Sequence, residues 1–281
     1  MKKVLIVLAF LLALGLSALP AAAITGGELD YEGHPNVGLM IADIDGEPVW
    51  RCSGTLIAPQ VFLTAGHCAG DGATGARVWF ESDFAEVTDY PYGGVSAHEG
   101  TPVAHPFYSW PPENIWPNNP LYPNGDYYDV GLVILDEPIY NITPATLASP
   151  GLLTQLKKDR VLKGGWADDY EVYFRSVGYG ITLETWPHPT HDSTKVRMVS
   201  ESAYVALTRN ILHLTQRAVF GEDGTCSGDS GGPAFWIDGE GNEILVAVTS
   251  RGDGPCVASG LDYRVDNPEI LDWINRMIPQ E

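Results

Sequence analysis

The chain predicts an all-β fold, and three observations predict it. Gly and Pro account for 31 and 21 of its 281 residues, which is turn-forming material in quantity. Short β-branched and aromatic runs lie between those turn signals: Val130–Leu135, Val172–Val177 and Ile244–Thr249. The last run follows Asp-Gly-Glu-Gly-Asn-Glu at 238–243, a composition suited to a hairpin turn. Many short strands of this kind indicate a sandwich or a barrel. The exception is the C-terminal end, where 267–278 reads as a helix. Asn267 can cap it, Pro268 suits its first turn, and Ile270, Ile274, Met277 and Ile278 share one face.

Residues 1–23 read as a secretory signal. Lys2 and Lys3 precede an apolar run of 13 residues, Val4 to Leu16, too short for the roughly 20 residues that span a bilayer. Pro20 ends the run and small residues follow. Cutting after Ala23 places Ala21 and Ala23 at the two positions where signal peptidase requires small side chains, and exposes Ile24 as the new N-terminus. The short Lys-Lys signal has a bacterial look. The product is expected outside the cytoplasm, extracellular or periplasmic, and free of the membrane.

Removal of that segment leaves 258 residues with 14 basic against 36 acidic side chains. So acidic a surface argues against nucleic acid as a partner, since phosphate binding needs a basic patch. It suits a monomer kept soluble by self-repulsion. The stretch 141–150 (NITPATLASP) is the expected linker, dividing the chain into 24–145 and 146–281. Four cysteines, Cys52, Cys68, Cys226 and Cys256, in an exported chain suggest disulfides, and spacing alone leaves three pairings open.

Three stretches carry chemistry: LTAGHC (63–68), DVGLVIL (129–135) and CSGDSGGP (226–233). A serine hydroxyl becomes a useful nucleophile only when an imidazole takes its proton. The imidazole needs a carboxylate to hold its tautomer and steady its positive charge. Ser230, His67 and Asp129 could fill these roles. Gly-Asp-Ser-Gly-Gly also satisfies the G-x-S-x-G elbow of α/β-hydrolases, whose histidine follows the serine. All seven histidines here precede Ser230, so the elbow and its ester hydrolysis are disfavoured.

The order His, Asp, Ser and the motifs around His67 and Ser230 resemble the chymotrypsin-like serine proteases, with DVGLVIL similar to that family's aspartate strand. The resemblance runs from Ile24 to the C-terminal helix. It implies two antiparallel β-barrels with the triad between them, and hydrolysis of polypeptides through an acyl-enzyme. It implies disulfides Cys52–Cys68 and Cys226–Cys256, each contributing about 2–4 kcal/mol. It places the oxyanion hole at the Gly228 and Ser230 backbone N–H groups. It also implies that a new N-terminal Ile24 pairs its α-amine with Asp229. No Lys or Arg lies between Lys3 and Arg51, so signal cleavage itself, rather than a tryptic cut, is expected to activate the enzyme. A relative that binds without catalysis is the alternative, although no triad residue is missing.

The same resemblance puts Gly224 at the floor of the specificity pocket and Ser250, Gly252 and Gly260 in its walls. That is an open, deep, neutral pocket suited to a large apolar or aromatic side chain before the cut bond. Asp223 beside the floor, or Asp262 two residues beyond Gly260, would instead favour Lys or Arg. Arg251 stands where the family usually has Trp, either to attract acidic residues upstream of the cut or to reach solvent. The aromatic, Pro-rich stretch 107–129 is expected to overhang those subsites or cover a barrel. No cofactor or metal is expected for catalysis. Asp43, Asp45 and Glu47 begin like an EF-hand loop, but Pro48 occupies its required Gly position. Glu81, Asp83 and Glu86 offer a site for structural calcium, or are ordinary surface acids.

Overall fold

The computed structural model describes residues 24, 27–109, 127–164, 172–184, 190–192, 195–217 and 222–279. The expected signal segment, and positions 110–126 of the aromatic stretch, lie outside the described residues.

The first strand, β1 (Glu28–Leu29), is followed by β2 (Val37–Ile44), β3 (Glu47–Ala58) and β4 (Val61–Thr64). A single helical turn, α1 (Gly66–Ala69), leads to β5 (Gly75–Trp79), β6 (His98–Ala104) and β7 (Gly131–Leu135). Strands β2 to β7 close into a six-stranded antiparallel barrel in the order β2-β3-β4-β7-β6-β5. Within 141–150, β8 (Thr146–Leu147) forms, and helix α2 (Leu152–Lys158) comes next. The remaining strands are β9 (Tyr173–Gly178), β10 (Thr182–Glu184), β11 (Thr190–Asp192), β12 (Met198–Leu207), β13 (Ile211–Thr215), β14 (Pro233–Ile237), β15 (Glu243–Gly252) and β16 (Ser259–Arg264). Of these, β9 pairs with both β12 and β14, which closes the ring β12-β13-β16-β15-β14-β9 into a second barrel. At its margins β1 pairs with β12, and β8 runs parallel to β15.

Alternation explains why β2 reads as a nearly continuous apolar run. Met40 and Ala42 point into the first barrel with Leu56, Phe62, Val78 and Val133. Val37, Leu39 and Ile41 point the other way, into a cluster that joins the barrels and includes Val177, Tyr179, Phe235 and Tyr263. Both faces are therefore buried. The predicted turn at 238–243 forms around Asp238, whose Oδ1 accepts the Glu240 and Asn242 N–H groups at 2.9 and 2.8 Å.

The C-terminal helix α3 (Pro268–Met277) also forms, with two differences from the expected details. Its buried residues are Ile270, Leu271, Trp273 and Ile274, because only the first two turns lie fully against the core. Met277 and Ile278 pack at the edge. Asn267 has cap geometry but makes no side-chain bond to the helix. Its Nδ2 reaches Asn210 Oδ1 at 3.4 Å instead. Among the described residues no helix is long and apolar enough to cross a membrane.

A buried ionic network fastens the barrels together. The fully buried Arg197 donates to Asp30 Oδ2 at 2.7 Å and to the carbonyls of Tyr31, Val37 and Phe80. Asp30 also bonds His34 Nδ1, while His34 Nε2 meets the Glu243 carboxylate at 3.1 Å. Burial opposes charge on His34, but its bonds to Asp30 and Glu243 outweigh that and push its pKa up to about 9. Its protonation therefore supports the fold fully below the ordinary pKa of 6.5, and that support is lost as pH rises from 6.5 through about 9. In denaturation measured across this window, stability should fall with an His34 contribution on the order of 3 kcal/mol. A His34→Gln variant should be less stable at pH 6 and should lack that part of the decline.

Candidate active site

His67 and Asp129 come from two adjacent strand ends of the first barrel. His67 lies in α1, directly after β4, and Asp129 directly before β7; β4 and β7 are antiparallel neighbours. The Cys52–Cys68 disulfide ties α1 to β3. Asp129 is fully buried. Its Oδ1 accepts the His67 backbone N–H at 2.8 Å, and its two oxygens lie 3.1 and 3.0 Å from His67 Nδ1. Ser250 Oγ donates to Asp129 Oδ2 at 2.6 Å, with the Tyr127 hydroxyl 3.2 Å behind it. A carboxylate held this way fixes the Nδ1–H tautomer, leaving Nε2 to act as a base.

Ser230 arrives from the second barrel, on the loop before β14. Three bonds hold that loop's backbone: Ser53 N–H to Ser230 O at 2.8 Å, Gly231 N–H to Thr249 O at 2.7 Å, and Gly232 N–H to Asp229 O at 2.8 Å. Cys68 Sγ lies 3.7 Å from Ser230 O, which puts the serine beside the histidine's sequence neighbour. Gly228 and Gly231 have φ of +99° and +82°, backbone that side chains disfavour. A Cβ on Gly231 would also fall 2.1 Å from Thr64 Oγ1. Among the described residues, neither the Gly228 nor the Ser230 N–H donates to a protein group. Ser53 Oγ braces this turn by donating to Gly228 O at 2.9 Å.

Ile24 and Asp229 are both buried. In the full-length chain Ile24 follows Ala23, so its nitrogen is an uncharged amide; the expected ion pair belongs to the chain cut after Ala23. Ile24 packs on Met198 and Leu29. Asp229 accepts the Gly180 and Cys226 N–H groups at 2.7 and 2.8 Å. Burial still pushes its pKa up to about 7, against these two bonds and the charge of Arg51.

The pocket differs from the open one expected. The Cys226–Cys256 disulfide forms, and Gly224, Gly252 and Gly260 do converge, but on the side chain of Gln216. Ser250 directs its hydroxyl to Asp129 and so supports the His–Asp pair. A cavity of about 130 Å³ remains beside Ser230, bounded by Thr225, Thr249, Arg251, Gly252 and Gly254 among others. Asp223 is not part of it: Asp223 opens on a separate cavity with Glu28, Arg175 and Glu201. Asp262 is buried below, paired in register with Thr249, and burial pushes its pKa up to about 7. Neither carboxylate reaches the cavity beside the serine. Arg251 does not simply extend into solvent; its guanidinium lies 4.8 Å from the Tyr127 ring centre, along the cavity wall.

Sequence reasoning missed Gln216, the support from Tyr127 and the brace from Ser53. None of these stands in a recognisable motif; each acts through a contact across strands. Among the described residues, the one cluster of three metal-capable side chains is Cys52, His67 and Cys68. Two of these are joined in the disulfide. Glu81, Asp83 and Glu86 do not form such a cluster.

The profile of the trypsin family matches residues 32–274. Serine protease 1 and Serine protease 2 of Drosophila melanogaster are each 28% identical to the chain over 260 residues, covering 89% of it and 84% of theirs. A trypsin of Simulium vittatum is 26% identical over 215 residues, covering 73% of this chain and 72% of its own. These relatives are from insects and lend no support to a bacterial source. A solved structure of HL collagenase superposes with a TM-score of 0.62 at 20% identity, covering 92% of this chain and all of its own; at that identity it speaks for the fold.

Proposed function

The chain belongs to the trypsin family of serine proteases, and from that premise we propose that it is an exported endopeptidase working through His67, Asp129 and Ser230. The observation that carries this reading is the buried Asp129 carboxylate, bonded at once to the His67 N–H, His67 Nδ1 and Ser250 Oγ.

In the proposed reaction Ser230 Oγ attacks the carbonyl carbon of the peptide bond while its proton passes to His67 Nε2. The negative charge that develops on the carbonyl oxygen is met by the Gly228 and Ser230 N–H groups. Such donors contribute about 2.7–4 kcal/mol each to the transition state. Collapse breaks the C–N bond, and His67 returns the proton to the leaving amine. Water then attacks the acyl-Ser230 ester with His67 again as base, which frees the new carboxylate and restores the serine. Asp129 steadies the imidazolium in both halves. The substrates are polypeptides, and a monomer contains every group these steps use. The division into 24–145 and 146–281 assigns His67 and Asp129 to one barrel and Ser230 to the other.

Activation follows from export. Cleavage after Ala23 gives Ile24 an α-ammonium group, and its counter-ion is Asp229. Removing one partner of a buried ion pair costs about 3–5 kcal/mol, so Asp229→Asn should lower the activity of the processed enzyme roughly 10²- to 10⁴-fold. The uncut chain makes a second prediction. Asp229 there holds its proton up to about pH 7, whereas the unfolded chain releases it near 4. The folded state binds more protons in that window, so stability of the uncut chain should fall as pH rises from about 4 to 7. The processed chain should show a shallower fall. N-terminal sequencing of the exported protein, combined with cleavage of an unfolded protein substrate, tests the whole reading. Activity that starts at Ile24 supports it; full activity from another N-terminus overturns the activation step, and no cleavage by the Ile24 form overturns the function.

A further inference from the structure

Strand β13 ends at Thr215, and the next residue turns its side chain inward. Gln216 is only 1% exposed. A Cβ built on Gly224 would lie 2.0 Å from Gln216 Cβ, one on Gly252 2.9 Å from Nε2, and one on Gly260 3.3 Å from Oε1. One side chain thus fills the space that three glycines leave.

That side chain is anchored. Nε2 donates to Asp253 Oδ1 at 3.1 Å. The Asp253 carboxylate is itself fixed by the N–H groups of Val257, Ala258 and Ser259 at 2.9, 2.9 and 2.8 Å. Swinging Gln216 aside would strip a buried amide of the one side-chain bond it makes among the described residues, an unfavourable exchange. The cavity left beside Ser230 is bounded by Thr225, Thr249 and Gly252 but by none of Gly224, Gly260 or Asp262.

We propose that Gln216 sets the primary specificity, closing the pocket above Gly224 so that the residue before the cut bond carries a short side chain such as Ala, Ser, Thr or Val. This rests on Ser230 being the nucleophile. The large apolar or aromatic preference expected from a Gly224 floor requires space that Gln216 occupies. The Lys or Arg alternative requires a carboxylate at the cavity beside Ser230, and neither Asp223 nor Asp262 lines it.

The test is cleavage of a peptide library varied at the residue before the cut, with the Ile24-initiated enzyme. Active enzyme is counted by a fluorophosphonate that has no side chain to enter the pocket. Wild type should favour short over aromatic or basic residues by about 100-fold in kcat/KM, the scale on which misfit in an apolar pocket discriminates. Gln216→Ala should raise cleavage after long residues about 100-fold, and Gln216→Met, which refills the volume without the amide, should keep the short preference. Wild-type cutting after Phe, Tyr, Lys or Arg overturns the proposal even if no variant folds. So does labelling without any cleavage. Absence of fluorophosphonate labelling in wild type identifies a different failure, that of the serine peptidase reading beneath it.

Discussion

Replacing Ser230 with alanine is expected to lower kcat of the Ile24-initiated enzyme by about 10⁶-fold, the scale seen when a serine protease loses its nucleophile. Alanine removes one oxygen, and the backbone bonds that shape the loop do not involve it. Ser53 N–H still meets the residue 230 carbonyl, and Gly231 N–H still meets Thr249 O. The fold should therefore survive, with unchanged circular dichroism and thermal midpoint. Substrate binding should also persist, because the cavity walls are intact. Residual turnover about 10³- to 10⁴-fold above the uncatalysed rate would come from the backbone donors of Gly228 and residue 230 and from substrate binding. An alanine variant that retained more than a few per cent of wild-type activity would remove Ser230 from the chemistry.

The second large effect is expected from Asp129→Asn, at about 10⁴-fold in kcat. The geometry explains why so conservative a change is severe. Asp129 offers only acceptors, to His67 N–H, His67 Nδ1 and Ser250 Oγ. An asparagine there retains one acceptor oxygen, and its NH₂ can face His67 Nδ1 only if that nitrogen carries no proton. The proton then moves to Nε2, the position that must accept from Ser230. The measurement is kcat and KM at neutral pH, with a loss confined mainly to kcat. An equal loss through KM alone would point to substrate binding and against a role in proton transfer.

These two residues and His67 could be picked out from the sequence because each stands in its own local context: a histidine in LTAGHC, an aspartate opening an apolar strand, a serine in SGDSGGP. The barrel class and the final helix were legible from turn residues and periodicity. Other features depend on where strands end in space. Gln216 lies eight positions before Gly224, and nothing in Leu-Thr-Gln announces a side chain that enters a pocket. It does so because β13 stops one residue earlier, against β16. Asp223 adjoins the floor residue in sequence yet opens on another cavity, since neighbours in extended chain face opposite ways. The resemblance puts Ser250 in the pocket wall, while its hydroxyl turns to Asp129. The helix face of Ile270, Ile274, Met277 and Ile278 does meet the core, with the last two only partly buried at its edge, because periodicity identifies a face but not how far along it the core extends.

The measurement that tests the central claim most directly is mass-spectrometric mapping of the adduct formed when the Ile24-initiated protein meets a serine-directed phosphonate. The account predicts one phosphonyl group per molecule, on Ser230, with peptidase activity falling in proportion to labelling. An adduct on another residue, or complete labelling of Ser230 with cleavage undiminished, would contradict it.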